Sequence, residues 1–278
     1  MPIGQLFCEG GESSPDGRVL STLLKNRCRV VPFGGRYGMG DRIKAARAAT
    51  GRDGVFGILD GDFVRACTTV ANRPRVWEIP DGTDTTHLGW RWERKEIENY
   101  LIDPVVVELA LGTNAPDSDE YIRAMEGARD ALTIYQAART ALSNCRPRFQ
   151  NLKSAFGRPR GKEQHPFPDE LSESACRNSI DELVRKFNEA QHVRTCDVEA
   201  RFAEILPECS VGERYFNYLH YFAGKDLMIA MEGFLTRAGF GSWAAFREKI
   251  LIGIEATPED IADWLPEWKA LQAEIDSL

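Results

Sequence analysis

The first hundred residues alternate strand-like and helix-like patterns, which predicts an α/β fold with a parallel sheet. Apolar strand segments at Gln5–Glu9, Arg29–Phe33 and Val55–Leu59 are separated by segments whose apolar residues recur at helical spacing. The third segment is apolar almost throughout, as is typical of a strand that is buried on both faces. Val76–Ile79 is a fourth candidate strand. This order of elements implies parallel βαβ units with right-handed crossovers and a sheet flanked by helices.

After Pro104 the pattern becomes helical. Apolar residues recur at helical spacing in three long stretches, 121–142, 180–187 and 227–238, and no convincing strand is present. Thr257-Pro258-Glu259-Asp260 has the composition of a helix start, with Thr at the N-cap and Pro in the first turn. We therefore predict an α/β domain over residues 1–102 and a mainly helical domain over residues 103–278.

Composition and charge describe a globular protein without a general affinity for nucleic acid. The chain has 278 residues, of which 43% are hydrophobic and 28% are charged. Its net charge of −7 means that contact with nucleic acid has to depend on a local basic patch.

The cysteines and the N-terminus indicate the compartment. Seven scattered cysteines contain no Cys-x-x-Cys pair, which argues against a disulfide framework and against a zinc site. The N-terminus lacks the charged segment and apolar stretch of a signal peptide. No apolar run approaches the ~20 residues that span a membrane. We expect a cytoplasmic protein with reduced thiols and no contact with a membrane.

Two predicted strands end in a carboxylate next to a glycine. The first ends in Glu9-Gly10 and the third in Asp60-Gly61-Asp62. Because the carboxyl ends of parallel strands meet at one edge of a sheet, we expect these three carboxylates to lie together. In an extended backbone Asp60 and Asp62 would point the same way, about 6–7 Å apart. Converging carboxylates repel one another unless a cation lies between them, and hard oxygen ligands favour Mg²⁺ or Mn²⁺.

Two further segments are candidates for this site. Glu96 and Glu98 flank the apolar Ile97, so an extended backbone would place both on one face, either as further metal ligands or as a solvated edge. Lys225 stands at a predicted helix start, where the helix dipole disfavours a cation. It is either a lysine that stabilises charge on a phosphate or an ordinary exposed side chain.

Two loops stand out. Gly34-Gly35-Arg36-Tyr37-Gly38-Met39-Gly40 is rich in glycine but lacks the features of a P-loop or a dinucleotide fingerprint, so we interpret it as a flexible turn into a helix. Residues 139–162 carry seven basic residues and no acid, and Pro and Gly interrupt the second part. We predict that this basic loop binds a nucleic-acid backbone, with contacts from Arg146, Arg148, Lys153, Arg158, Arg160 and Lys162. The open alternative is that it docks an acidic face of a protein partner.

The strand-end motifs resemble those of Toprim domains. Phe7-Cys8-Glu9-Gly10 and Ile58-Leu59-Asp60-Gly61-Asp62-Phe63 match in order and spacing a strand that ends in Glu-Gly, then a helix, then a strand that ends in Asp-x-Asp. The closer resemblance is to Toprim-like proteins of the DUF4435 type, relatives of the overcoming-lysogenization-defect (OLD) nucleases. Three further segments support it: 31–35, 96–101 and 224–227. The motifs cover roughly the first hundred residues and a short stretch near residue 225.

The resemblance implies a nuclease that depends on Mg²⁺ or Mn²⁺ and acts on DNA or RNA, tRNA included. It further implies the toxic effector subunit of an anti-phage defence system of the PARIS type, controlled by an ABC-type ATPase partner, and a homodimer. The implied catalytic residues are Glu9, Asp60, Asp62 and Lys225, and the implied metal ligands are Glu9, Asp16, Asp60, Asp62, Glu96 and Glu98. Asp16 enters because relatives place an acid about four residues after the first glutamate, where this chain has Ser13 and an apparent short insertion.

Two alternatives remain open. The segment from Phe56 to Val64 also fits the nucleophile strand of haloacid-dehalogenase-type phosphatases, with Asp60 as nucleophile and Asp62 as acid and base. Against it, that strand normally comes first in the fold, and Glu9-Gly10 would have no role. The second alternative is a catalytically silent Toprim-like subunit, which the acidic charge and the large helical half would suit.

Overall fold

A computed structural model of the chain describes residues 4–51, 54–63, 70–82, 84–145 and 172–278. Its strands are β1 (Gln5–Cys8), β2 (Arg29–Pro32), β3 (Val55–Leu59), β4 (Arg75–Asp81) and β5 (Asp84–Arg91). They form one sheet in the order β2-β1-β3-β5-β4. β1 pairs with β2 and β3 in parallel, and β3 pairs with β5 in parallel, whereas β4 pairs antiparallel with β5. The predicted α/β class with a largely parallel sheet is confirmed.

The helices are α1 (Pro15–Leu23), α2 (Met39–Thr50), α3 (Glu98–Leu101), α4 (Pro104–Leu111), α5 (Ser118–Cys145), α6 (Glu173–Gln191), α7 (Thr195–Ser210), α8 (Glu213–Phe216), α9 (Tyr218–Tyr221), α10 (Gly224–Ala230), α11 (Glu232–Arg237), α12 (Trp243–Ala256) and α13 (Pro266–Asp276). The three predicted helical stretches fall in α5, in α6 and in the pair α10 and α11. The helix start predicted at Thr257 is wrong. Thr257 instead ends α12, and Asp260 caps a short 3-10 turn, Ile261–Trp264. Within the described ranges, no helix is both long enough and apolar enough to cross a lipid bilayer.

Contacts between backbone positions divide the chain into two compact units. The first unit comprises Met1–Ala137 and Leu206–Leu278, and the second comprises Ala138–Ile205. The boundary predicted at residue 102 lies inside the first unit, which contains the sheet together with α8 to α13. Every predicted site residue that the structure describes also belongs to this first unit.

Both faces of the sheet are covered by helices of the first unit. The crossover from β1 to β2 and the crossover from β2 to β3 run in opposite directions, so α1 and α2 lie on opposite faces. On one face, Met39 and Ile43 of α2 belong to a core cluster with Phe7, Val55 and Leu59. On the other face, Arg18 of α1 pairs with Glu248 and Glu255 of α12, at 2.8 and 2.6 Å.

The last helix of the chain also packs on this sheet. The indole N–H of Trp90, in β5, donates a hydrogen bond to Glu274 of α13. The C-terminal helices therefore complete the core of the α/β fold, and the carboxyl edge of β1, β3 and β5 is held in place from both halves of the chain.

Candidate metal centre

The carboxyl ends of β1 and β3 bring Glu9 and Asp60 together, as the strand pattern predicts. Each residue directly follows the last residue of its strand, and the two strands are paired in parallel. The backbone N–H of Asp60 donates to Glu9 Oε1 at 3.2 Å. One oxygen of Glu9 is therefore already engaged at the end of the neighbouring strand.

The Asp60 carboxylate lies in an environment that strongly disfavours its negative charge. Its Oδ1 is buried and has no hydrogen-bond partner among the described residues. Burial raises the pKa of Asp60 well above its ordinary value, and the negative charges of Asp16, Glu9, Glu96 and Glu98 raise it further. A buried oxygen without a donor costs folding free energy, so this position calls for a proton or a cation.

Asp16 belongs to the same acidic cluster. It lies in the first turn of α1, where the Ser14 side chain caps the helix by accepting the Gly17 N–H at 3.2 Å. Burial and the charge of Glu98 raise the pKa of Asp16 to about 7. Burial and the charges of Asp16, Glu9 and Asp60 likewise raise the pKa of the Cys8 thiol to about 12. The negative potential therefore concentrates at the end of β1.

Glu96 and Glu98 join the cluster through a turn and not through an extended strand. The extended backbone predicted here is wrong, because Ile97 has helical dihedral angles (φ −60°, ψ −30°) and Glu98 begins α3. Both carboxylates nevertheless meet Lys225. Its Nζ lies 3.5 Å from Glu96 Oε2 and 3.2 Å from Glu98 Oε2. Its backbone N–H donates to Glu96 Oε1 at 2.7 Å.

Lys225 compensates part of the negative charge. Burial alone would lower the pKa of Lys225, but the charges of Glu96 and Glu98 raise it above its ordinary value. The pKa of Glu98 is raised by burial and by Glu96, against the lowering effect of Lys225. The Lys225 side chain is 48% exposed, whereas the Glu98 side chain is almost completely buried, at 2%. Lys225 therefore faces both the cluster and the solvent.

Asn99 holds the two halves of this arrangement together. Its Oδ1 accepts the backbone N–H groups of Glu96 at 3.2 Å and Gly224 at 3.1 Å, and its Nδ2 donates to the Phe222 carbonyl at 2.7 Å. A Cβ at Gly224 would lie 2.5 Å from the Asn99 backbone nitrogen, so only glycine permits this approach. Sequence reasoning gave Asn99 no role, although an amide directly before the apolar Tyr100-Leu101-Ile102 is a usable signal of a buried polar contact.

Arg247 is a second cation of the site that the sequence did not reveal. Its Nη1 lies 3.4 Å from Glu98 Oε1, and its Nε is buried without a partner among the described residues. It comes from α12, 149 residues along the chain from Glu98. No local pattern marks it, because an arginine on a surface helix is unremarkable by itself.

Asp62 departs from the predicted geometry. Its backbone is left-handed (φ 51°), so the extended arrangement expected for Asp60 and Asp62 is wrong. Its side chain pairs with Arg36, and its backbone N–H donates to the Lys95 carbonyl at 2.8 Å. A Cβ at Gly61 would lie 2.3 Å from the Arg94 carbonyl oxygen. The glycine is therefore needed for the close approach of two chain segments.

Most of these carboxylates already have a partner within the protein. Glu9 accepts a backbone N–H, Glu96 and Glu98 face cations, and Asp62 pairs with Arg36. Among the residues that the structure describes, no three His, Cys, Asp or Glu side chains are grouped so that they could hold a metal ion. The chemistry of the donors nevertheless fits Mg²⁺ or Mn²⁺, since the set consists of carboxylates and includes the unpartnered Oδ1 of Asp60.

The predicted nucleic-acid-binding residues of the basic loop, Arg146, Arg148, Lys153, Arg158, Arg160 and Lys162, lie outside the described residues. Their contact with a phosphate backbone stays a prediction from the sequence.

No protein-family model matches the chain, and no curated protein matches it. The resemblance to Toprim-like proteins therefore continues to depend on the motifs alone, and a function has to be argued from the side chains of the site.

Proposed function

We propose that this protein is a metal-dependent phosphodiesterase that cleaves nucleic acid, with Mg²⁺ or Mn²⁺ at the edge of the sheet. The observation that carries the proposal is the acidic cluster of Glu9, Asp16, Asp60 and Glu98, with an unpartnered buried oxygen on Asp60 and a partly exposed lysine beside it. Such a concentration of buried and half-buried carboxylates is costly in the absence of a cation. A functional site is the best physical reason for keeping it.

Each group has a distinct role in this proposal. The metal would be held by Glu9, Asp16, Asp60, Glu96 and Glu98, and by Asp62 once Arg36 is displaced. It would supply an activated water and neutralise the leaving oxygen. Asp60 provides the central oxygen, since its Oδ1 has no competing donor in the described part of the chain. Lys225 lies on the solvent side of the cluster, where its ammonium can stabilise charge on a phosphate. Asn99 positions the segments that carry Glu96 and Lys225.

A phosphodiesterase fits better than a phosphatase of the haloacid dehalogenase type. A nucleophilic aspartate has to be ionised and accessible. The pKa of Asp60 is raised by burial and by neighbouring acids, which disfavours the ionised form in the absence of a cation. Asp62 pairs with Arg36 and adopts a left-handed backbone, which does not favour it as the acid and base of such a mechanism.

We also propose that the protein is an effector subunit whose activity an ABC-type ATPase controls. The resting arrangement supports a silenced ground state, because Lys225 and Arg247 occupy Glu98 and Arg36 occupies Asp62. These cations compete with a metal for the same carboxylates. A partner that shifts them would raise metal affinity without changing any ligand.

The test is cleavage by the full-length protein. Plasmid DNA, single-stranded DNA and total RNA are incubated with Mg²⁺, Mn²⁺ or EDTA, with and without any ABC-type ATPase encoded beside the gene. We expect cleavage only with metal, and a loss of at least about 100-fold in Asp60→Asn. The matched control is Asp263→Asn, which removes an exposed acid whose ion pair, among the described residues, is with the exposed Lys269.

Binding of Mn²⁺, followed by calorimetry, gives a readout that does not need turnover. We expect the wild-type protein and Asp263→Asn to bind the ion and Asp60→Asn to bind it at least about tenfold more weakly. A wild-type protein that neither binds Mn²⁺ nor cleaves with the ATPase present would refute the proposal. Binding without cleavage under all conditions would instead identify a catalytically silent subunit.

A further inference from the structure

The loop between β2 and α2 lies at the acidic edge of the sheet. Gly34, just after β2, forms a two-way backbone bridge with Gly10, in which each N–H donates to the other carbonyl at 2.8 Å. Gly10 directly follows Glu9. The loop that contains Arg36 and Tyr37 is therefore tied to the strand end that carries a proposed metal ligand.

Both ends of this loop are anchored in the core. Before it, Phe33 packs edge-on against Phe7 at 6.0 Å, and its N–H donates to the Cys8 carbonyl at 2.9 Å. After it, Met39 is completely buried at the start of α2. Between these anchors, Gly34 and Gly38 adopt positive φ angles of 94° and 81°. The glycine-rich segment is thus a short turn with a defined position.

The turn presents one cation and one aromatic ring. Arg36 pairs with Asp62, and both side chains stay about one-third exposed, at 32% and 39%. An ion pair with this exposure contributes little free energy, so exchange of Asp62 for another anion is cheap. Tyr37 is 78% exposed and makes no hydrogen bond or ring contact with any other described residue. Burial in the core therefore does not account for this aromatic side chain.

We propose that Arg36 and Tyr37 are a nucleotide-binding element and that the substrate class is single-stranded nucleic acid. Arg36 exchanges Asp62 for a backbone phosphate, and Tyr37 stacks on an unpaired base of the same strand. Guanidinium groups bind phosphates in a bidentate manner, and exposed aromatic rings stack on bases that are not already stacked in a duplex. This inference rests on the proposed nuclease function, because it assigns a substrate to the same site.

Arg36 should also couple the binding of substrate to the binding of the metal ion. Asp62 is one of the predicted metal ligands, and Arg36 covers it in the structure. A phosphate that draws Arg36 away leaves the Asp62 carboxylate available to a cation. Substrate and metal should therefore bind with positive cooperativity, which by linkage acts in both directions.

The experiment measures binding of the full-length protein in EDTA by fluorescence anisotropy. The probes are labelled 20-nucleotide single strands of DNA and RNA and a duplex of the same length. The variants are Tyr37→Ala, Tyr37→Phe and Arg36→Ala. The matched control is Phe216→Ala, which removes another exposed aromatic ring, 70% exposed, from the same compact unit.

We expect Tyr37→Ala to weaken single-strand binding by about 5- to 100-fold, and Tyr37→Phe to bind like the wild type because it keeps the ring. Duplex binding should not respond to either change. Arg36→Ala should lower the log–log salt slope by roughly one unit. Because Tyr37 is exposed, the variant should retain its fold, which its melting temperature checks.

Three outcomes overturn the inference: no single-strand binding by the wild type, a Tyr37→Ala variant that binds single strands like the wild type, or equal losses for single strand and duplex. These outcomes are distinguishable from failure of the nuclease proposal. Metal-dependent cleavage that requires Asp60 but not Tyr37 would refute the inference alone. Tyr37-dependent binding without any cleavage would refute the nuclease and leave the binding element.

Discussion

Asp60 and Glu267 are two carboxylates whose pKa is raised by burial, but they differ in the hydrogen-bond donors around them. Glu267, in α13, has both oxygens satisfied. Its Oε1 accepts the Glu93 N–H at 2.8 Å, and its Oε2 accepts the Tyr100 hydroxyl at 2.6 Å. Burial raises the pKa of Glu267 to about 7 in spite of these donors. Asp60 has instead a buried Oδ1 without a donor in the described residues, and acids around it.

The difference separates a structural carboxylate from one that is available to a ligand. Glu267 and the Tyr100 hydroxyl, which also accepts the Arg94 N–H at 3.2 Å, fix the segment that leads to Glu96 and Glu98. Asp60 fixes no comparable segment through its Oδ1. A buried polar group is normally paired, so the unpaired Oδ1 of Asp60 should lower the stability of the metal-free protein, as expected of a ligand in the proposed metal centre.

The largest expected effect is on the free energy of unfolding, which should fall at one of the two sites and not at the other. Glu267→Ala leaves the Glu93 N–H and the Tyr100 hydroxyl buried without an acceptor, which should lower the free energy of unfolding by about 3 kcal/mol. Asp60→Asn removes a charge from a crowded site and should leave the metal-free protein as stable or more stable. Urea unfolding at pH 7 in EDTA measures both. Equal destabilisation by the two variants would mean that Asp60, like Glu267, has a structural role, which contradicts the distinction between them.

The metal should act at one site only. Mn²⁺ that binds the folded state alone raises the free energy of unfolding by about 2.7 kcal/mol at 100 times Kd. The gain should be larger at pH 8 than at pH 6, because the ion has to displace protons from carboxylates with raised pKa values, among them Asp16 with a pKa of about 7. Thermal unfolding with and without Mn²⁺ checks this in the wild type and in Glu267→Gln, which should retain the gain. Loss of the gain in Glu267→Gln, with the fold intact, would contradict it.

A third prediction concerns pH in the absence of metal. Asp16 has a pKa of about 7 in the folded protein, against 3.8 for the free group. Between these values the folded state binds more protons than the unfolded state, so the free energy of unfolding falls as pH rises from about 4 to about 7. Asp16→Asn should flatten this slope. Glu267 titrates in the same direction and should leave a residual slope in the variant. Urea unfolding at several pH values from 4 to 8 measures this slope. An unchanged slope in Asp16→Asn would mean that Asp16 does not belong to the acidic cluster.

The smallest effect is expected for Arg247. Arg247→Met keeps an unbranched apolar chain in place of the arginine's aliphatic stem, removes the guanidinium, and leaves Glu98 with Lys225 as its one cation in the described structure. Because Arg247 is partly exposed, the loss at pH 8 should be only about 0.5–1 kcal/mol. Mn²⁺ affinity should rise, since a competing cation is gone. Arg237→Met, an exposed arginine of α11, is the control and should change neither quantity. Lower Mn²⁺ affinity in Arg247→Met would mean that Arg247 supports the metal centre and does not compete with it.

Much of the sheet could be predicted from local patterns. The apolar runs of β1, β2 and β3 and the helical spacing of α2 depend on neighbours in sequence, and the structure confirms all four elements. Because parallel strands end at one edge, the meeting of Glu9 and Asp60 followed directly from those patterns. β5 was missed, since its first half, Asp84-Thr85-Thr86-His87, is polar and lacks the apolar signal of a central strand.

Tertiary structure decided the rest of the site. The left-handed backbone of Asp62 occurs together with its Arg36 pair and with the close approach of the Arg94 segment to Gly61, contacts that no local sequence pattern indicates. Asn99 contacts Gly224 across 125 positions, and Arg247 reaches Glu98 across 149. Periodicity and motif spacing describe only contacts within an element or between adjacent elements. Which cations neutralise which carboxylates, and which oxygen remains without a partner, is determined by packing between segments that are distant in the chain.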